Sequence, residues 1–227
     1  MNKVDPTSRF PRPVPIGVST GHPSITAGTI GCRVTDDYGN VYASSNNHVY
    51  ADENRASGGD PVLQPGSYDG GVDPDDAIGT LADFQPIDFG GFNFIDAAIA
   101  LTSTDLLDNA TPSDGYETPR SSPVSARIGQ RVMKYGRTTS LTKGRVYAIN
   151  ASVLVSYESG IALFVGQIIG TPGNFSAPGD SGSLIVIEKG SDQRRPVGLL
   201  FAGSPTITIA NPIQFVMDMF DVTVDGN

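Results

Sequence analysis

An all-β fold, built as two packed antiparallel barrels or as one sandwich, is what this sequence predicts. Three observations lead there. The 27 glycines and 17 prolines outnumber the charges of either sign, which suits short strands joined by tight turns. Apolar, β-branched runs of four to nine residues recur along the chain between clusters of Gly, Asp, Asn and Pro. A single stretch has helical spacing, with Pro212 at its start and Ile213, Val216, Met217 and Phe220 on one face. Strands with almost no helix, split by a proline-bearing link, are the signature of paired β layers.

Taken in order, residues 1–15 carry four prolines and read as an extended arm. Residues 16–110 form the first expected unit. Within it, 28–34 is a strand, 36–40 a hairpin turn and 41–45 the partner strand, which Asn46, Asn47, His48 and Val49 close. Residues 51–79 are Gly-, Asp- and Pro-rich loops around a short strand at 61–64. Strands follow at 78–84 and 93–101. Residues 102–123 contain Pro112, Pro119 and Pro123 and read as a link, with 111–123 separating the halves. The second unit, 124–227, continues with strands at 131–135, 144–149, 152–157, 161–165, 182–187 and 197–202, then the terminal helix.

Composition excludes several functions. The formal net charge is −9, and no basic cluster with interleaved aromatics is present, so nucleic acid and anionic membranes are poor partners. No apolar run approaches spanning length. One cysteine, Cys32, leaves no internal disulfide and no cysteine-rich metal site. No signal-like apolar segment follows Met1, which together with the missing disulfide favours a reducing, cytoplasmic setting. Asp69, Asp73, Asp75 and Asp76 share one loop and are oxygen ligands of the kind Ca²⁺ takes, but a solvated acidic turn is the preferred reading, and neither metal nor cofactor is expected.

The chemistry concentrates at Gly-Asp-Ser-Gly, residues 179–182, which lead into the apolar run 184–187. A sharp turn there exposes the Ser181 hydroxyl, and the N–H groups of Gly179 and Ser181 can form a two-donor pocket for an oxyanion. A nucleophilic serine needs a base. Of the two histidines, His48 follows a strand rich in Ser and Asn, whereas His22 sits in a turn-rich stretch. An orienting carboxylate is expected to be buried and paired. Asp96, set among Phe92, Phe94, Ile95 and the run 97–101, fits, with Asp76 as runner-up. Both histidines precede Ser181, which rules out the α/β-hydrolase order. The order His48, Asp96, Ser181 is that of the chymotrypsin group.

These motifs resemble the trypsin-like, chymotrypsin-fold serine peptidases, and residues 136–144 resemble the Gly-Arg-Thr-Thr-Gly stretch of the bacterial branch, relatives of α-lytic protease and streptogrisin. The resemblance implies two six-stranded antiparallel barrels with a cleft between them and a short C-terminal helix. It implies Ser181 as nucleophile, His48 as general base and Asp96 as its orienting acid, with a polypeptide as substrate. The residue six before the nucleophile is Phe175 rather than an acid, and with Phe201, Ala202 and Gly203 it is expected to form a primary pocket for an apolar or small side chain. The sequence departs from the family where Val49 follows the histidine in place of a half-cystine. Ile16 follows Pro15, so activation by cleavage after a basic residue is not expected, and Asp180 needs a partner other than a new amino terminus. A self-processing domain acting once in cis, or an inactive peptide-binding module within a larger parent protein or assembly, are the alternatives to a turnover endopeptidase.

Overall fold

The computed structural model describes residues 3–227. Short strands β1 (Ser19–Thr20) and β2 (Gly28–Thr29) pair with each other. Then come β3 (Arg33–Thr35), β4 (Val41–Ser45), the one-turn helix α1 (Asn47–Tyr50), β5 (Pro61–Leu63), β6 (Ala77–Phe84), β7 (Phe92–Asn93) and β8 (Ala98–Thr102). The second half holds β9 (Arg131–Gly136), β10 (Ser140–Tyr157), β11 (Gly160–Thr171), β12 (Leu184–Ile187), β13 (Pro196–Gly203), β14 (Thr208–Pro212), the helix α2 (Ile213–Phe220) and β15 (Thr223–Val224).

Two curled sheets account for most of these strands. The first runs β15-β3-β4-β8-β6-β5. The second runs β10-β9-β12-β13-β14-β11, and the extra pairing of β10 with β11 closes those six strands into a ring. This is the double β-barrel expected, with two exchanges between the halves. β7 leaves the first half to run parallel to β11, and β15 returns from the C-terminus to pair with β3. Both are two-residue edge additions, which satisfy otherwise open backbone groups.

Burial joins the halves. One apolar cluster contains Val34, Ile78 and Leu81 of the first sheet together with Tyr135, Leu184, Val186 and Leu199 of the second and Ile213, Val216 and Met217 of α2. Each such side chain contributes about 1.5–3 kcal/mol when fully buried. The arm and the link are ordered parts of this packing. Val14 and Leu107 are buried and bridge to each other, Tyr116 is buried, and Arg9 forks onto the Asp76 carboxylate.

Five sequence expectations change, two of them breaks in single strands: 28–34 divides into β2 and β3, and 93–101 into β7 and β8. His48 does not close a strand: β4 stops at Ser45, Asn46 stays extended, and His48 is the second residue of α1. Polar residues in a short run carry no periodicity that separates a helical turn from a strand end. Phe175 is 1% exposed and packs with Val132, Val146 and Ile168 in the core of the second barrel. The separate strands expected at 144–149 and 152–157 are one 18-residue strand, bent by register shifts between Val146 and Val153.

Candidate active site

The turn at 179–182 lies backbone to backbone on β2. Thr29 N–H donates to Ser181 O at 2.7 Å, and Thr29 Oγ1 donates to Gly179 O at 2.9 Å. Gly182 has φ +96°, and a β-carbon there would run into Thr29 O and Ser45 Oγ, so glycine is required on both counts. A trans peptide turns its N–H away from its own C=O. The Pro178 carbonyl is held by Thr138 Oγ1 at 2.7 Å, and the Asp180 carbonyl by the Ser183 N–H at 3.0 Å and hydroxyl at 2.6 Å. The N–H groups of Gly179 and Ser181 therefore face away from these contacts, and among the described residues neither donates to anything.

Asp180, within this turn, is completely buried. Its carboxylate accepts the N–H groups of Thr138, Thr139 and Ala177 and the Thr139 hydroxyl, and Lys134 Nζ lies 3.2 Å away. Lys134 is equally buried, and its ammonium also donates to Thr139 Oγ1. Burial pushes the Lys134 pKa down, and Asp180 opposes that by charge and hydrogen bond. Lys134 is thus the partner that Asp180 needed. Thr138 and Thr139, from the Gly-Arg-Thr-Thr stretch, supply three of the other donors, and Ala177 the fourth. Arg137 itself turns away and forks onto Asp69.

His48 and Asp96 meet on the other wall of the cleft. His48 Nδ1 lies 2.6 Å from Asp96 Oδ2, and the His48 N–H reaches Oδ1 at 3.3 Å. Asp96 is completely buried, between β7 and β8, and its own backbone is held by Asn211 and Asn46. Its Oδ2 also accepts the Tyr157 hydroxyl at 2.8 Å. About a fifth of the His48 side chain remains exposed (22%). Burial works against the imidazolium, but the charge and hydrogen bond of Asp96, with Glu53 behind them, outweigh it and raise the His48 pKa above the ordinary imidazole value. Its Nε2 has no partner among the described residues, and His48 lines a cavity of about 550 Å³ together with Glu53, Tyr157, Phe201, Ala202 and Gly203.

Ser181 borders an adjoining cavity of about 360 Å³, lined also by Ser176, Ala177, Pro178, Ala202 and Gly203. Ala202 and Gly203 therefore form the partition between the two hollows. The Ser181 hydroxyl points to the Phe201 carbonyl at 3.4 Å. No charged side chain lines the second hollow, and Phe175, held in the core of the second barrel, is not among its lining residues. Phe201 faces the His48 cavity alone.

The double barrel has solved counterparts. Thermobifida fusca Protease A superposes with a TM-score of 0.67 at 19% identity, over 94% of this chain and 100% of that one. Nocardiopsis Protease gives 0.66 at 19% identity, over 93% and 99%. A glutamic acid specific serine protease, described as using a histidine triad in substrate binding, gives 0.64 at 22% identity, over 93% and 100%. The fold is that of the chymotrypsin-like serine proteases. A second line of likeness comes from sequence: a model of the Nal1 C-terminal domain matches residues 114–211. The protein NARROW LEAF 1 of Oryza sativa subsp. japonica is 32% identical over 85 residues, which is 36% of this chain and 14% of the rice protein.

On this chymotrypsin-like frame the other candidates are accounted for. His22 bonds to Asp60 at 3.2 Å on the first barrel, outside the cleft lining. Asp76 is engaged by Arg9 and Asp69 by Arg137, so these two carboxylates face arginines, while Asp73 and Asp75 are exposed. Sequence reasoning missed Lys134 and Tyr157. A lysine flanked by Val132, Met133 and Tyr135 in an expected strand was a usable signal, because a buried ammonium demands an acid. Tyr157 carried no comparable signal.

Proposed function

We propose that this chain is a serine endopeptidase that cuts polypeptides through an acyl-enzyme intermediate. Ser181 Oγ attacks the scissile carbonyl carbon as His48 Nε2 takes its proton. The same imidazolium then protonates the leaving amine. Water, activated by His48, releases the acyl group in the second half. Asp96 holds the Nδ1–H tautomer and stabilises the imidazolium. The developing oxyanion is received by the N–H groups of Gly179 and Ser181, and loss of one such donor costs about 10²–10³ in rate. The hydroxyl of Ser181 must first rotate away from Phe201 O.

The observation that supports the reading is the pair of unspent N–H groups beside Ser181, next to a second hollow lined by His48, whose Nδ1 is backed by a buried carboxylate. A binding module needs neither the open donors nor the paired imidazole. The test is labelling with a fluorophosphonate, followed by peptide mass mapping. One adduct on Ser181 is expected, absent from Ser181→Ala, whose melting temperature should match the parent. An intact fold with no adduct would sink the proposal. Cleavage of the inert Ser181→Ala copy by active protein separates a turnover enzyme from a domain that cuts itself once.

A further inference from the structure

The carboxylate of Asp96 is buried out of water, so every donor it meets must come from the protein. Three do. Two belong to His48, through its ring and its own N–H, and the third is the Tyr157 hydroxyl. Among the described residues, Tyr157 is therefore the one side-chain donor to this carboxylate from an element other than the one carrying the imidazole. It shares Oδ2 with Nδ1, so it competes directly for the electron density that the imidazole draws upon.

Tyr157 is the last residue of β10, at the tip of the long hairpin with β11. The two turn residues beyond it are fastened across the cleft. Glu53, just after α1, accepts the Glu158 N–H at 3.0 Å and the Ser159 N–H at 2.8 Å. The ring is clasped edge-on by His48 at 5.8 Å and by Phe89 at 6.0 Å. Burial first, then the Asp96 charge, push the phenol far above its ordinary pKa, so it remains a donor throughout the working range.

We propose that Tyr157 is a positioning residue for His48, seated by the Glu53-latched hairpin tip so that its hydroxyl sets how strongly Asp96 holds the imidazolium. The proposal rests on the endopeptidase reading for its catalytic meaning, but not for its test. The charged and titratable groups facing the imidazole are Asp96 from the segment before β8, Glu53 after α1, and Tyr157 and Glu158 from the hairpin, with Arg55 reaching Glu158 at 3.5 Å. Removing the phenol oxygen leaves Oδ2 with a single donor, and the carboxylate then attracts the proton on His48 more strongly.

The experiment is a titration of ¹⁵N-imidazole-labelled protein by NMR, with His22 as an internal reference because the chain has only two histidines. Tyr157→Phe keeps the ring contacts and is expected to move the His48 titration upward by on the order of 0.5 pH unit, with His22 unmoved. The acid limb of kcat/KM should move with it. Tyr157→Leu removes ring and hydroxyl together. If Tyr157→Phe titrates like the parent and only Tyr157→Leu disturbs His48, the side chain is packing alone and the proposal is overturned. An upward movement in Tyr157→Phe supports the positioning role even in a preparation that labels or cleaves nothing, so the two readings fail separately.

Discussion

Lys134 and Asp180 form an ion pair from which water is wholly excluded, with Nζ 3.2 Å from Oδ2 and both side chains fully buried. The pair ties β9 to the turn that carries Ser181. It gives Asp180 a cationic partner from within the second barrel.

Breaking the pair from one side should be costly. Lys134→Met strands a buried carboxylate, for which about 3–5 kcal/mol of lost stability is expected. The double change Lys134→Met with Asp180→Asn should recover a large part of that. Denaturant unfolding of the parent and both variants measures it. Fluorophosphonate labelling of Lys134→Met should slow further than its folded fraction explains, because the 179–182 turn loses its anchor. Unchanged stability in the single variant would show that the turn holds without the pair.

The pH profile follows from His48. General-base action needs the neutral ring, so activity should rise with pH along a single limb centred above the ordinary imidazole pKa of 6.5. Asp96→Asn should bring that limb down, because it removes the charge that raised it, and should slow turnover by about 10⁴-fold. Stability carries the opposite sign to activity. A folded-state pKa raised above the unfolded one makes the His48 contribution full below the unfolded value, and it fades as pH rises through the folded value. Asp96→Asn should flatten that part of the stability curve. A parent limb centred below 6.5 would contradict the assignment of Asp96.

The cavity beside Ser181 predicts what it will accept. Its lining offers the hydroxyl-bearing Ser176, Ser181 and Ser204, of which Ser176 bonds Thr208 Oγ1 at 2.6 Å, and otherwise apolar groups and backbone, with no acid. A lysine or arginine side chain entering it would lose water without gaining an acid. Peptides with small or apolar residues at the position before the cut should be preferred over Lys or Arg by on the order of 10²-fold in kcat/KM. Substrate-library profiling reads this directly. Preference for basic residues would mean that substrate binding brings in an acid from outside this lining.

Some of this architecture was written plainly along the chain. The amphipathic spacing of Ile213, Val216 and Met217 is a local property, and the α2 helix appears where that spacing lies. The hairpin of β3 and β4 follows likewise from its Asp-Asp-Tyr-Gly-Asn turn at 36–40. The order of His48, Asp96 and Ser181 nominated three side chains, of which two are hydrogen-bonded and the third borders the neighbouring hollow across Ala202 and Gly203. Other features were invisible. Phe175 reads equally well as pocket floor or core, because an aromatic in a loop reports nothing about which way it turns. His48 reads as a strand end because one helical turn is shorter than any period that could reveal it.

By itself the sequence determined an all-β chain with one terminal helix, the identity and order of the reactive residue types, and the lack of a disulfide, since these depend on local pattern and on counting. Only the tertiary structure decided that Lys134 answers Asp180, that Thr29 supports the Ser181 turn, and that Tyr157 reaches Asp96 from the end of a long hairpin. Those contacts join residues 46 to 150 positions apart. They exist because buried polar groups must find partners wherever the packing of two barrels happens to bring them, and no local stretch of sequence records that meeting.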